Sequence, residues 1–195
     1  FYSCEECGAN SPKWAGKCDA CGAWNSLVEE RIEKQTGKGA KITGRSIDLL
    51  RLSDAPSAHR VMRLITRVAE FDRVTGGGLV PGSALLIGGD PGIGKSTLLL
   101  QLVTKLATAG RKTAYITGEE SADQVRMRAA RLGVDSVPAG LATATNAADI
   151  AETVRKDSTL DLVVIDSIQT MYLPNIDSAP GTVSQVRASA HELIR

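Results

Sequence analysis

Eight consecutive residues, Gly89-Asp90-Pro91-Gly92-Ile93-Gly94-Lys95-Ser96, satisfy the pattern G-x-x-x-x-G-K-[ST] in full. That spacing suits phosphate binding. Gly92 and Gly94 leave room for backbone N–H groups to wrap phosphate oxygens, and a helix starting at Lys95 turns its positive end towards them. Lys95 supplies a point charge for the β- and γ-phosphates, and the Ser96 hydroxyl supplies a ligand for Mg²⁺. The candidate nucleotide-binding residues are Gly89, Asp90, Pro91, Gly92, Ile93, Gly94, Lys95, Ser96 and Thr97. The alternative is a glycine-rich turn with no ligand. The full match, placed between an expected strand and an expected helix, weighs against it.

Hydrolysis asks for two further groups. A second acid must hold the Mg²⁺ shell, and Asp166, closing the apolar strand expected over 160–165, fits; otherwise it caps a helix before Ser167. A carboxylate must orient water at the γ-phosphate. Glu119 and Glu120 follow the strand-like TAYIT, with Glu119 favoured, and the alternative makes both of them loop acids ahead of a Ser121 cap. The candidate catalytic residues are Lys95, Glu119 and Asp166.

A second chemistry sits at the other end. Cys4, Cys7, Cys18 and Cys21 are the only cysteines and form two C-x2-C pairs, each followed by glycine, Gly8 or Gly22. Two such knuckles facing one another make a closed Cys4 tetrahedron for structural Zn²⁺. Two disulfides or an iron site are the alternatives. The nucleotide motif and the absence of other cysteines favour a reducing cytoplasm and zinc. Zinc on four thiolates would take the formal net charge from +1 to −1. So short a segment cannot fold on its own buried surface, so the metal must supply the free energy. Trp14 and Trp24 are expected to pack over the thiolates. Lys13 and Lys17 beside Trp14 keep open an exposed role, stacking on single-stranded bases or on a partner.

These residues need elements to hold them. Residues 61–66 read as a strand, 68–77 as a short helix stopped by glycines, and 83–88 as a buried strand leading into the phosphate motif. Leucines at helical spacing predict a helix over 95–109, ended by Gly110. TAYIT at 113–117 is a strand. Ser121-x-x-Gln124 is a capping box opening a helix to about Leu132. A short strand near 141–145, a helix over 146–156 and the strand 160–166 follow. Apolar strands alternating with helices imply a mainly parallel α/β sheet covered on both faces. The expected organisation is a Cys4 ribbon over 1–30, a basic flexible linker over 31–56 and a P-loop NTPase core over 57–195. The linker is either plain solvated chain or a phosphate-tracking tether.

Composition sets the outer limits. The chain has 195 residues, 43% hydrophobic and 4% aromatic, and a net charge of +1, so no global positive field marks a nucleic-acid binder. No run of about 18 apolar residues predicts a membrane span. No signal-peptide pattern opens the chain, and a start at Phe1 without Met reads as a fragment.

Several stretches carry a family resemblance: C-E-E-C-G, K-W-A-G-K-C-D-A-C-G-A-W-N, E-F-D-R-V-T-G-G-G-L-V-P-G, G-G-D-P-G-I-G-K-S-T-L-L-L-Q, T-G-E-E-S and V-V-I-D-S-I-Q-T. Over nearly its whole length the chain resembles the bacterial RadA (Sms) family of RecA-like DNA repair and recombination ATPases. The resemblance implies a cytoplasmic, DNA-stimulated, helicase-like ATPase that forms homo-hexamers and promotes branch migration or unwinding of recombination intermediates. It also implies single-stranded or branched DNA as partner, with recombinase or replication proteins beside it. By position, Cys4, Cys7, Cys18 and Cys21 would bind zinc, Lys95 and Ser96 phosphate and Mg²⁺, and Glu119 would activate water. Arg128 would stack on adenine, with Arg126 close by. The family's Lys-Asn-Arg-Phe-Gly motif and Lon-like domain are not in these residues, so the ATPase core is read as incomplete.

A strand-exchange recombinase and a nucleotide-gated protein scaffold are the rival readings. The DNA surface is weakly signalled. The loop 171–183 holds Asp177 and no basic residue, which leaves Arg187, Lys38, Lys41 and Arg45 as better phosphate contacts. His59 and His191 read as surface residues.

Overall fold

The computed structural model describes residues 2–4, 7–29, 49, 51 and 62–195. Apart from Leu49 and Arg51, the expected linker 31–56 lies outside these, as do Lys38, Lys41, Arg45 and His59.

The N-terminal unit is a three-stranded antiparallel sheet. Its strands are β1 (Tyr2–Cys4), β2 (Asn10–Ser11) and β3 (Leu27–Glu29), with β1 in the centre. Register pairs Tyr2 with Ser11 and Glu29, and Cys4 with Leu27. Its small core is Cys4, Cys18 and Leu27, flanked by Tyr2, Ala9 and Ala15. The tryptophans are not part of it: Trp14 is 59% exposed and Trp24 73%, against the expectation that they cover the thiolates. The cysteines and small side chains already fill the interior, so the indoles are left on the surface.

The run 61–66 is not a strand in its described part. Leu64 makes a single bridge to Leu79. Beyond it, Asp72 accepts hydrogen bonds from Thr66 N (2.9 Å), Thr66 Oγ1 (2.8 Å) and Arg67 N (3.1 Å), turning the chain into helix α1 (Ala69–Val74). A Cβ on Gly78 would lie 2.6 Å from the Leu64 carbonyl oxygen, so only glycine permits this bridge.

The main unit continues through α2 (Lys95–Thr108), β4 (Thr113–Thr117), α3 (Ala122–Arg131), β5 (Gly140–Thr143), α4 (Ala147–Lys156), β6 (Leu162–Asp166) and α5 (Val183–Ile194). The sheet order is β5-β4-β6, all parallel, with Thr117 opposite both Thr143 and Asp166. Alternation along β4 feeds two cores. Tyr115 joins Leu100, Val103, Val125, Ala129 and Val164 on the face covered by α2 and α3. Ile116 joins Ala147, Ile150 and Met171 on the other, towards α4. Each fully buried large apolar side chain here contributes roughly 1.5–3 kcal/mol.

The expected capping box forms, Ser121 Oγ accepting from Gln124 N (3.3 Å) while Gln124 Oε1 accepts from Ser121 N (2.8 Å), and a second cap not read from the sequence has Asn146 Oδ1 accepting from Ala148 N (3.0 Å). The expected buried strand 83–88 does not: these residues form no strand, and Leu86 is 86% exposed. A central parallel strand needs a neighbour on each edge. Among the described residues the sheet β5-β4-β6 leaves one edge free on β5 and one on β6, and residues 83–88 pair with neither. The loop after β6 is not loose at its start. Buried Gln185 accepts from Leu173 N (2.9 Å) and donates to the carbonyls of Leu173, Ile176 and Ser178, tying 173–178 to α5.

Candidate nucleotide site and metal centre

The phosphate motif forms the loop ahead of α2. Gly92 (φ +79°) and Gly94 (φ +98°) hold left-handed conformations that L side chains avoid, and Gly94 is the N-cap of α2. No side chain caps this helix and no acid occupies its first turn. Its leading N–H groups and its dipole are therefore at the disposal of an anion. Lys95 lies back over the loop, its Nζ donating to the carbonyls of Gly89 (2.6 Å) and Asp90 (2.9 Å). That posture parks the ammonium on the loop whose N–H groups would cradle phosphates.

An open cleft of about 390 Å³ gathers the rest. Pro91, Gly92, Gly94, Lys95, Ser96 and Thr97 line it from the loop side, and Glu119, Arg128, Asp166, Ser167 and Gln169 from across the sheet's C-terminal end. Ligands of open parallel sheets bind at this end of the strands. Gly89, Asp90 and Ile93 belong to the loop but do not line the cleft.

Position, not sequence distance, brings the acids together. Thr117 and Asp166 are register partners, so Glu119, just past β4, emerges beside Asp166. Gly118 makes that possible: its N–H donates to the Asp166 carbonyl (3.0 Å), and a Cβ there would lie 2.2 Å from Thr170 Oγ1. Buried Thr117 Oγ1 accepts from the N–H groups of Glu119 (3.2 Å) and Glu120 (3.1 Å), shaping the turn.

The two glutamates then part. Glu119 faces the cleft and accepts a hydrogen bond from the Ser167 hydroxyl. Glu120 turns to α3 and pairs with Arg128. Asp166 accepts from the Tyr115 hydroxyl. Burial, then the Asp166 hydrogen bond and charge, push the Tyr115 phenol well above its usual range, so it stays a donor. The Asp166–Ser167 peptide is cis.

Tyr115, Ser167 and Gln169 are site residues that the sequence reading passed over. A signal for Tyr115 existed, since a phenol buried in an apolar strand needs a partner for its hydroxyl. Arg128 does enter the cleft, but with its guanidinium engaged by Glu120. Arg126 is exposed and pairs with Asp123 (3.0 Å).

In the ribbon, the two cysteine pairs repeat one geometry. Cys4 N donates to the Ala9 carbonyl and Gly8 N to the Cys4 carbonyl; Cys18 N donates to Ala23 and Gly22 N to Cys18. Gly8 (φ +72°) and Gly22 (φ +77°) close the two turns. The four sulfurs lie within 4.8 Å of one another, with Cys4–Cys21 at 3.7 Å and Cys7–Cys18 at 3.8 Å. A tetrahedron with Zn–S bonds of about 2.3 Å has S···S edges of about 3.8 Å, so the donor set fits zinc and not a pair of disulfides. The Ala9 N–H pulls the Cys7 thiol down, yet its neighbours Cys21, Cys4 and Cys18 and its desolvation leave it pushed up to about 12. Crowded thiols of this kind ionise together only when a cation joins them. The knuckle at Gly8 abuts α5: a Cβ there would lie 3.1 Å from Val183 Cγ1 and 3.2 Å from Arg187 Nη2.

Family models match both units of the chain. Residues 64–156 match the ATPase family described as KaiC, and residues 2–29 the rubredoxin metal binding domain. "DNA repair protein RadA" of Brucella abortus is 49% identical over 207 residues, which is 100% of this chain and 43% of that protein. The RadA proteins of Pseudomonas aeruginosa and Bacillus subtilis are 48% and 43% identical, again over 100% of this chain and 43% of theirs. The chain thus spans less than half the length of these relatives. No helix among the described residues is long and apolar enough to cross a membrane.

Proposed function

We propose that this chain, which belongs to the RadA family, forms the zinc ribbon (1–30), linker (31–56) and nucleotide-binding part (57–195) of a DNA-stimulated, ATP-hydrolysing DNA repair and recombination protein. The observation that carries the reading is the meeting of Lys95, Ser96, Glu119 and Asp166 around one cleft. In that reading Lys95 and the N–H groups of Gly92 to Thr97 bind the phosphates. The Ser96 hydroxyl and Asp166 would hold Mg²⁺, which when bound neutralises charge on the phosphate oxygens. Glu119, oriented by the Ser167 hydroxyl, takes a proton from the attacking water. The protein works in the cytoplasm as a homo-hexamer acting on single-stranded or branched DNA, and moves branches or unwinds recombination intermediates beside recombinase or replication proteins.

A second reading, a nucleotide-gated scaffold whose ribbon binds protein, is favoured by the exposed Trp14 and Trp24. One experiment separates the two. ATP turnover of the full-length protein is measured with and without single-stranded DNA across a salt series. Stimulation that fades as salt rises supports the DNA reading through phosphate contacts. Turnover indifferent to DNA at every salt concentration supports the scaffold.

A further inference from the structure

We infer that Arg128 is a cation for the terminal phosphate of a nucleoside triphosphate, held by Glu120 until that phosphate arrives. The inference rests on the nucleotide reading and adds to it a cation within this chain besides Lys95. Arg128 and Glu120 pair inside the protein, their side chains 15% and 28% exposed. A guanidinium and a carboxylate commonly form two parallel hydrogen bonds. Here a single bond joins Arg128 Nη2 to Glu120 Oε1, while Arg128 Nη1 and Glu120 Oε2 are buried without any partner. Buried unpaired polar atoms are rare and ask for an explanation. Arg128 lines the same cleft as Lys95 and Ser96. A triphosphate there brings an anion of higher charge than a carboxylate, with oxygens to spare for the orphan donor. Base stacking would use the face of the guanidinium and leave Nη1 unsatisfied. The link to chemistry is short. Glu120 N and Glu119 N donate to the same Thr117 hydroxyl, so a change at Glu120 is felt in the turn that carries Glu119.

The test compares the full-length protein with Arg128→Gln and Glu120→Gln. It measures binding of a non-hydrolysable ATP analogue, ADP and inorganic tripolyphosphate, and the melting temperature of each protein. Arg128→Gln is expected to weaken the analogue and tripolyphosphate by about tenfold or more while ADP changes little. Glu120→Gln, which frees the arginine, is expected to tighten both triphosphates severalfold. Opposite signs are the signature. A purely structural ion pair would weaken all ligands in both variants, in step with melting temperature, and overturn the inference. Equal losses of analogue and ADP in Arg128→Gln, with tripolyphosphate unchanged, would make Arg128 a base contact and also overturn it. If the unaltered protein binds the ligands but Arg128→Gln keeps its preference for triphosphate, this inference alone falls. If the unaltered protein binds none of them, the nucleotide reading falls and takes the inference with it.

Discussion

The Tyr115 hydroxyl donates a hydrogen bond to Asp166 Oδ2, joining the middle of β4 to the end of β6 beneath the cleft. Tyr115 is 1% exposed and Asp166 9%, so the phenol is cut off from water while the carboxylate keeps only its cleft-facing edge open. Tyr115→Phe keeps the ring in the core and removes only the donor. It is expected to cost about 1–3 kcal/mol, the penalty for a buried acceptor left unpaired. The Mg²⁺ concentration that supports half-maximal turnover should also rise. Denaturant unfolding and a Mg²⁺ titration check the two halves, and an unchanged Mg²⁺ requirement would mean that the phenol does not position Asp166.

Glu119 and Glu120 are neighbours in sequence with different surroundings, so isosteric changes should separate them. Glu119→Gln is expected to bind nucleotide and slow hydrolysis by roughly 10² or more. Glu120→Gln should slow it far less, because its carboxylate is turned to Arg128. Lys95→Ala should abolish binding or turnover. Single-turnover rates at saturating ATP decide the matter, and the reverse ranking of the glutamates would move the base to Glu120.

Much of this site was legible because its signals are local. The Ser121 capping box and the cysteine knuckles each depend on residues within a few positions of one another and form as read, while the phosphate loop leads into its expected helix without the strand expected ahead of it. What was hidden depends on partners far along the chain. The run 83–88 has the composition of a buried strand, but pairing is decided by neighbouring strands that the run does not encode. Trp14 and Trp24 look like core by residue type, yet a sheet of three very short strands around four sulfurs has no interior left for them. The partners of Arg128 and Asp166 follow from the β4–β6 register and the start of α3, so composition could not name them.

Gly118 offers a steric test. A methyl group there would meet Thr170 Oγ1 at 2.2 Å and Thr145 Cγ2 at 3.0 Å. Gly118→Ala must push the β4 exit away from the 3-10 turn Ile168–Thr170, which carries Gln169. The expected cost is about 1–3 kcal/mol of stability. Turnover should fall more than nucleotide affinity, because Glu119 moves while the phosphate loop does not. Normal turnover with unchanged stability would show that the turn yields freely.

Zinc should behave as a folding ligand confined to the ribbon. Cys18→Ser, or a strong chelator under reducing conditions, is expected to release about one Zn²⁺ per chain and unfold residues 1–30 while α2 and the β5-β4-β6 sheet persist. Elemental analysis, with Trp14 and Trp24 fluorescence reporting the ribbon, follows both events. A freshly reduced sample without zinc, its ribbon still folded, would overturn the assignment.

In the proposed hexamer a cation from the next subunit completes the site, and such a group is worth about 10³ to 10⁵ in rate. Within this chain Lys95 and Arg128 are the basic side chains that line the cleft, and neither comes from a neighbouring subunit. Among the described residues β5 and β6 each leave a sheet edge unpaired, a template for association with another chain. Residues 1–195 alone should therefore bind nucleotide weakly, hydrolyse it slowly and respond little to single-stranded DNA. The chain spans 43% of the Brucella abortus relative, so the full-length protein is the natural comparator. Both are assayed at one salt concentration and equal active-site concentration, with and without DNA. Equal DNA-stimulated turnover would show that no group outside this chain is needed, and the case for a cation supplied by the neighbouring subunit would have to be dropped.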